Sequence, residues 1–140
     1  MPVAEQLSLH LHLDGQEWTN DQAGKLLAGF TGSEELSRLY RFQAVLFTAY
    51  STSLTPDQFI GHTVAIELRR GETKRFFAGI CNRFLVLEDA EASGRSYRID
   101  IVPKLWTLTH GIQCRSFLEK KTSDVLAQIL SEHGVAAAAT

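Results

Sequence analysis

The fold is decided by two neighbouring stretches, FFAGICNRFLVL at residues 76–87 and YRIDIVP at residues 97–103. The first is rich in aromatic and β-branched residues, and its single Gly79 predicts a bulge or a close approach of two backbones. The second places apolar and charged side chains on opposite faces: Tyr97, Ile99 and Ile101 against Arg98 and Asp100. Such alternation is typical of a half-buried antiparallel strand, so the two stretches predict one long β-hairpin.

The segment between the two arms, residues 88–95, holds acidic and small polar residues with one glycine. No side chain in it can drive burial, so we expect an exposed, mobile loop. After the second arm, apolar patterning continues through residues 103–108, where Pro103 marks a sheet edge or a kink because proline cannot donate to a ladder. Trp106 is expected to anchor the packing there, and residues 112–117 are expected to form a short strand.

Further strands are predicted at short spacing before the hairpin. Residues 7–13 alternate, with four leucines on one face, and residues 62–69 alternate before a tight turn at residues 70–72. Residues 40–50 form a third apolar segment, which follows a bend. Strands that follow one another so closely are typical of an antiparallel barrel or sandwich and not of parallel βαβ units. The chain is therefore predicted to be mainly β.

Two short helices are also expected. Thr55, Pro56 and Gln58 combine a helix cap, a proline at the first helical position and a capping-box glutamine, which predicts one or two turns near residue 57. A second helix, near residues 123–133, is expected to be capped by Thr122 and to end at Gly134.

Length and composition fit a single domain. A chain of 140 residues with 44% hydrophobic content can bury about two-thirds of its unfolded surface. We expect a barrel over about residues 5–117, followed by a helix and tail over residues 118–140. The small-residue tail has no stop signal of its own, which suggests a fragment of a longer protein.

Charge and targeting signals restrict the possible partners. The formal net charge of −2, with basic residues scattered among acids, makes nucleic acid a poor partner. The amino end lacks the basic and apolar regions of a secretory signal peptide, and no stretch reaches a membrane-spanning length. We expect assembly in the cytoplasm without direct membrane insertion, and any export to use a route that is independent of signal peptides.

Standard catalytic motifs are absent from the sequence, including the GxSxG elbow, the P-loop, HExxH and the dinucleotide fingerprint. Cys81 and Cys114 are too far apart for a CxxC site and are expected to be reduced thiols. A Cys114 nucleophile with His110 as its base is the best candidate that remains, although no orienting acid is indicated. Asp100 could have a raised pKa, but its position beside Arg98 favours a solvated ion pair. We expect no enzyme, no catalytic residue and no cofactor.

Three other polar residues could form sites. His10 and His12 share one strand face and could hold a metal, but no further ligand has suitable spacing. An exposed histidine pair, without a metal, is therefore favoured. Glu34 could anchor the bend by accepting backbone N–H bonds or by pairing with Arg38 or Arg41, or it could remain a solvated turn acid.

Aromatic residues allow one alternative function, a small barrel that binds an oligosaccharide or oligonucleotide by stacking. The candidates for it are Trp18, Tyr40, Tyr50 and Trp106. A stacking platform needs aromatics exposed together on one face. These residues mostly occupy core-like positions, which favours packing instead.

Short motifs recur in a fixed order through nearly the whole chain. They are F-x-G-x-E-x-L-S-x-L-Y-x-F at residues 30–42, Gly61 before a strand, F-x-G at residues 77–79, Y-x-I-x-I-x-P-x-L-x-x-L at residues 97–108, and C-R-x-F at residues 114–117 ahead of the helix. In this order they resemble the amino-terminal region of the VgrG family, the valine-glycine repeat spike proteins of type VI secretion.

This resemblance implies an antiparallel β-barrel of the phage tail-hub kind in a non-enzymatic, structural protein. It implies that full-length relatives form homotrimers with two barrels per subunit, which dock as a pseudo-sixfold ring on the hexameric tube protein Hcp. Residues 1–140 would supply the first barrel, and effectors or adaptors would bind through regions beyond it. A baseplate hub of a phage-like tail would use the same barrel. The resemblance also implies delivery by the type VI route.

Overall fold

The computed structural model describes residues 6–18, 26–87 and 94–136, with the backbone alone described at Leu26. The chain divides into two compact units, Met1–Pro103 and Lys104–Thr140. In chain order the elements are β1 (Leu7–Leu13), β2 (Gln16–Trp18), β3 (Leu26–Ser33), β4 (Arg41–Ala49), a 3₁₀ helix (Pro56–Gln58), β5 (Thr63–Arg70), β6 (Thr73–Leu87), β7 (Gly94–Val102), a second 3₁₀ helix (Lys104–His110) and α1 (Thr122–Glu132).

The first unit contains one seven-stranded sheet in the order β2-β1-β5-β6-β7-β4-β3. Every pairing is antiparallel, and the predicted hairpin of β6 and β7 lies at the centre. β1 and β3 are not hydrogen-bonded neighbours, yet Cα atoms of the two strands come within 8 Å of each other. The sheet is therefore rolled, with its opposite ends close together, and the predicted mainly β, antiparallel fold is confirmed.

The core lies on the inner face of this rolled sheet. Its members are Leu11, Leu27, Phe42, Ala44, Leu46, Leu54, Phe59, Val64, Ile66, Cys81, Tyr97, Ile99 and Ile101. Ring contacts link several elements, since Phe84 packs against Phe59 at 5.6 Å and against Tyr97 at 5.4 Å between ring centroids. Each large apolar side chain that is removed from water here contributes about 1.5–3 kcal/mol, so burial on this face supplies the main stabilisation.

The sequence left open whether Gly79 marks a bulge or a close approach of two backbones. The β6–β7 pairing contains both features, at two different positions. A Cβ atom on Gly79 would collide with the carbonyl oxygen of Val102, so this glycine serves a close backbone approach. The bulge lies instead between Cys81 and Arg83, where the register shifts. Cys81 and Phe84 are three positions apart, so a regular strand would place them on opposite faces. Because one extra residue reverses the alternation, both face the core.

The segments after β6 and β7 differ from the predictions in part. Gly94 and Arg95 already belong to β7, and the rest of the predicted mobile loop, residues 88–93, lies outside the described residues. Pro103 ends the sheet, and residues 104–110 form a 3₁₀ helix where continued strand patterning was predicted. Residues 112–117 form no strand. A proline has no amide hydrogen to extend the ladder, which explains why β7 stops there.

Both predicted helices are present, with small changes at their ends. The first spans Pro56–Gln58, and the Gln58 side chain accepts the Thr55 backbone N–H at 3.1 Å. In α1, the cap is Lys121 and not Thr122. Gly134 ends this helix as predicted, with a φ of 63° that favours glycine.

The outer face of β5 carries a buried carboxylate, Glu67, which is 1% exposed. Arg69 donates to it at 2.9 and 3.0 Å, and His12 and Lys74 lie 2.8 and 3.4 Å away. The hydrogen bonds from Arg69 lower the pKa of the Glu67 carboxyl from 4.5 to about 2, although burial opposes the shift. A buried carboxylate with this many donors has its hydrogen-bonding capacity satisfied. Its loss would leave the surrounding cations without an ionic partner.

Replacing Gly79 by alanine is expected to destabilise the protein by about 1–3 kcal/mol, because the new methyl group meets the Val102 backbone. Gly29→Ala is the matched control, since a Cβ at that strand position meets no atom within 4 Å. Urea unfolding followed by circular dichroism measures both. Equal midpoints for the two variants would contradict the close approach.

Glu67→Gln is expected to weaken the dependence of stability on pH. The folded pKa of about 2 lies below the unfolded value of 4.5, so the carboxylate stabilises the fold fully above pH 4.5 and loses this effect as the pH falls toward 2. Urea midpoints at pH 7 and pH 3 should therefore differ more in the wild type than in the variant. Glu35→Gln removes an exposed, weakly paired carboxylate and serves as the control; a pH dependence unchanged in Glu67→Gln would refute the assignment.

Candidate functional site

The proposed thiol and imidazole pair does not form a catalytic arrangement. Cys114 is exposed, and no hydrogen bond joins it to His110, whose ring instead packs edge-on against Trp106 at 4.1 Å. The second unit has a cavity of about 270 Å³, but neither Cys114 nor His110 lines it. The other cysteine, Cys81, is buried, and burial raises the pKa of its thiol to about 11. Such a thiol is protonated at neutral pH and unreactive.

His10 and His12 do not form the exposed pair that the sequence favoured. Both are partly buried and each meets a different carboxylate, at 2.6 Å between His10 Nδ1 and Glu17 and at 2.8 Å between His12 Nε2 and Glu67. Within the described ranges, no cluster of three or more potential ligands could hold a metal ion. The histidines therefore act as hydrogen-bonding partners of acids that approach from β2 and β5.

Asp100 is buried, whereas the sequence predicted a solvated ion pair. It is 2% exposed, and Arg98 Nε lies 3.9 Å from its Oδ1 atom, beyond hydrogen-bonding distance. Both of these atoms, together with Oδ1 of Asn82, are buried without a hydrogen-bond partner. Asp100 pairs across the sheet with Arg83, next to the bulge. Alternation correctly gave its face, but it did not show that this part of the face is buried.

The segment between β3 and β4, residues 34–40, is called the acidic loop below. Its Glu34 pairs with Arg75 of β6 at 3.4 Å and not with either arginine considered from the sequence. Leu36, at the tip, is 96% exposed. The Tyr40 hydroxyl fixes the lower end of the loop by donating to the Ala78 carbonyl at 2.6 Å. Burial, reinforced by the nearby Glu34 charge, raises the pKa of this tyrosine.

The four aromatic residues considered for stacking do not share an exposed face. Trp18 packs against Phe59 at 6.1 Å, and Tyr40 packs against Phe42 at 5.0 Å. Trp106 belongs to the second unit and is partly buried. Tyr50, at 51%, is the one member of the four that is well exposed. The arrangement therefore offers no platform for successive bases or sugars.

One surface was not anticipated from the sequence. On the outer face of β5 and β6, Phe76 is 55% exposed beside Lys74 and Arg69, both of which are held by Glu67. These three residues, Arg69, Lys74 and Phe76, are called the basic patch below. The register that pairs Glu67 with Phe76, and Arg69 with Lys74, creates the patch. Residue spacing alone gave no sign of it, because it depends on which strands are neighbours.

No helix within the described part of the chain is long and apolar enough to cross a membrane.

Residues 33–140 match the phage tail baseplate hub (GPD) family. Two relatives are the type VI secretion system spike proteins VgrG1c and VgrG1b of Pseudomonas aeruginosa. They are 30% identical over 106 residues and 31% identical over 109 residues, each alignment covering 74% of this chain. The chain spans only 14% of the length of either relative.

Solved structures show the same fold. The E. coli c3393 protein, described as a type VI secretion component with structural similarity to the T4 tail proteins gp27 and gp5, aligns with a TM-score of 0.70 and 19% identity. The alignment covers 87% of this chain and 31% of that protein. A 43 kDa tail protein of prophage MuSo2 from Shewanella oneidensis aligns with a TM-score of 0.62 and 12% identity, over 92% of this chain and 38% of its own.

These matches confirm the predicted tail-hub fold and the family resemblance drawn from the short motifs. The chain belongs to the phage tail baseplate hub family and is a relative of the VgrG spike proteins.

Proposed function

We propose that this chain is a structural hub segment of the spike of a type VI secretion machine and supplies the first barrel of that spike. The observation that carries the proposal is the family match over residues 33–140. A type VI secretion component aligns with 87% of the chain at a TM-score of 0.70. The role is mechanical: the protein holds its shape and transmits load.

The physical support comes from the sheet. Its seven strands form one continuous series of antiparallel ladders, so a force on one strand is shared through backbone hydrogen bonds with its neighbours. The inner face is closed by ring contacts such as Phe42 with Phe77 at 5.3 Å. A densely packed interior resists compression, which suits a segment that is pushed during contraction.

The proposal extends to partners and location. The protein associates as a homotrimer, its ring docks on the hexameric tube protein Hcp, and effectors or adaptors bind regions outside residues 1–140. It is assembled in the cytoplasm and exported by the type VI route. Its role is non-enzymatic and involves neither nucleic acid nor direct membrane insertion. Rings of this kind form through heterologous surfaces, which a rolled sheet provides on its outer face.

A baseplate hub of a phage-like tail is the second candidate, and the alignment with the prophage tail protein over 92% of this chain favours it. The two roles use the same barrel and differ in the machine around it. Neighbouring genes separate them, since a secretion cluster encodes a membrane complex and a phage cluster encodes capsid and tail-length proteins.

The proposal is tested by measuring whether the bacterium that encodes the chain releases the tube protein. Ile99→Asp places an unpaired charge at a fully buried position, which costs several kcal/mol, an amount comparable to the stability of a domain. We expect this variant to abolish release of the tube protein into the medium. Immunoblots of cells and medium measure it.

The matched variant is Cys114→Ala combined with His110→Ala, two changes at exposed positions. It should release the tube protein at the wild-type level, because neither side chain supports the sheet. Loss of release in this folded double variant would show that the two side chains have a role beyond the structural one proposed, and normal release with Ile99→Asp would show that the barrel is dispensable.

A further inference from the structure

A serine, a histidine and a glutamate are joined by hydrogen bonds on the outer face of β1 and β2. Ser8 Oγ lies 3.0 Å from Nε2 of His10, and the other ring nitrogen, Nδ1, lies 2.6 Å from Oε1 of Glu17. The side chains of His10 and Glu17 are 25% and 39% exposed, and Ser8 is partly buried. The mechanical role proposed above does not use these three side chains.

The carboxylate fixes the tautomer of the imidazole. At neutral pH a glutamate side chain is ionised and can only accept hydrogen bonds, so the proton of the neutral His10 ring lies on Nδ1. Nε2 then carries a lone pair, and the Ser8 hydroxyl donates to it. The hydrogen bonds therefore run in one direction, from hydroxyl to imidazole to carboxylate, as they do for serine nucleophiles on several unrelated folds.

Strand geometry brings the three groups together. Ser8 and His10 are two positions apart on β1 and project from the same face. Glu17 is the partner of His12 in the register of β1 and β2, and a diagonal neighbour on an antiparallel pair is within reach of a long side chain. His12 is bound by Glu67 from the other side at 2.8 Å, which leaves the Glu17 carboxylate to His10.

A cation lies opposite the serine. Arg69 of the basic patch pairs with Ser8 in the register of β1 and β5. Two of its N–H groups donate to Glu67 at 2.9 and 3.0 Å, and a guanidinium has further N–H groups for another acceptor. Positive charge held at this position stabilises negative charge that develops on an oxygen atom beside Ser8.

We propose that Ser8 is an acylation site, a nucleophile that takes the acyl group of an activated carboxylic ester. Ser8 Oγ attacks the ester carbonyl carbon while His10 Nε2 takes the hydroxyl proton. The carbonyl oxygen becomes negatively charged and faces Arg69. When the bond to the leaving oxygen breaks, His10 gives the proton to that oxygen, so the products are an acylated serine and the free alcohol.

The three residues have different roles in this reaction. Ser8 and His10 touch the reacting atoms, whereas Glu17 is a positioning residue that holds the ring in the required tautomer. One covalent addition per chain needs no turnover and leaves the strands in place, so the acylation site is separate from the structural role proposed above. A negative result in the experiments below would leave that role standing.

Acetylation of the full chain tests this site. A Cys114→Ala background removes an exposed thiol that would also react. The protein is treated with p-nitrophenyl acetate at neutral pH, and peptide mapping by mass spectrometry follows each serine. We expect Ser8 to be acetylated at least about a hundredfold faster than Ser37 of the acidic loop, an exposed serine in the same chain, because a positioned general base contributes at least this factor. Equal rates at the two serines would overturn the proposal.

A pair of histidine variants separates the role of the base from general effects on the fold. His10→Gln is expected to lower the rate at Ser8 to the rate at Ser37. His62→Gln is the matched control, because His62 also meets a carboxylate, that of Asp14 at 2.7 Å, and it should leave the rate at Ser8 unchanged. Fast acetylation of Ser8 in His10→Gln would contradict the assignment of the imidazole as the base.

Glu17→Gln tests the positioning residue. Long-range proton–nitrogen NMR spectra are expected to show the Nδ1–H tautomer of His10 in the wild type and to lose that preference in the variant. Acetylation of Ser8 should slow at least about tenfold, with a urea midpoint close to the wild type because an exposed carboxylate contributes little stability. An unchanged tautomer together with an unchanged rate would rule out this role for Glu17.

Discussion

The register of β6 against β7 is the constraint on which the rest of the structure depends. These two strands occupy the centre of the sheet, so any slip between them would turn core residues of both strands toward water. Two features fix the register: the close approach of Gly79 to the Val102 carbonyl, and the bulge at Asn82. The bulge reverses the alternation, so that Cys81 and Phe84 face the same core.

The two faces of this sheet have different environments. The inner face is apolar and is closed by ring contacts, whereas two acids, Glu67 and Asp100, are buried on the outer face. Arg69 and Lys74 pair with the first of them. Glu67 has a full set of donors, while Asp100 and Arg98 retain buried atoms without partners. Since buried charges need partners more than apolar groups do, substitutions of charged residues on the outer face are expected to be poorly tolerated.

Sequence patterns predicted most strands because alternation is a local property that each strand displays by itself. The prediction was wrong at residues 112–117 and after Pro103, where apolar residues occur without a neighbouring strand to receive them. The bulge can be detected in the sequence, because the apolar residues of β6 shift from odd-numbered to even-numbered positions between Phe77 and Phe84. The charged networks cannot be detected in the sequence. His12 and Glu67 are 55 positions apart and meet at 2.8 Å only because β1 lies beside β5.

By itself, the sequence determined that this protein is mainly β, where its two helices lie, and which family its short motifs resemble, because these properties depend on neighbouring residues. Only the tertiary structure decided that Asp100 is buried, that His10 and His12 meet separate acids, and that Phe76 lies beside cations held by a buried carboxylate. Those properties depend on strand order and register, which join residues distant in the chain, and the alternation within a single strand carries no information about its neighbours.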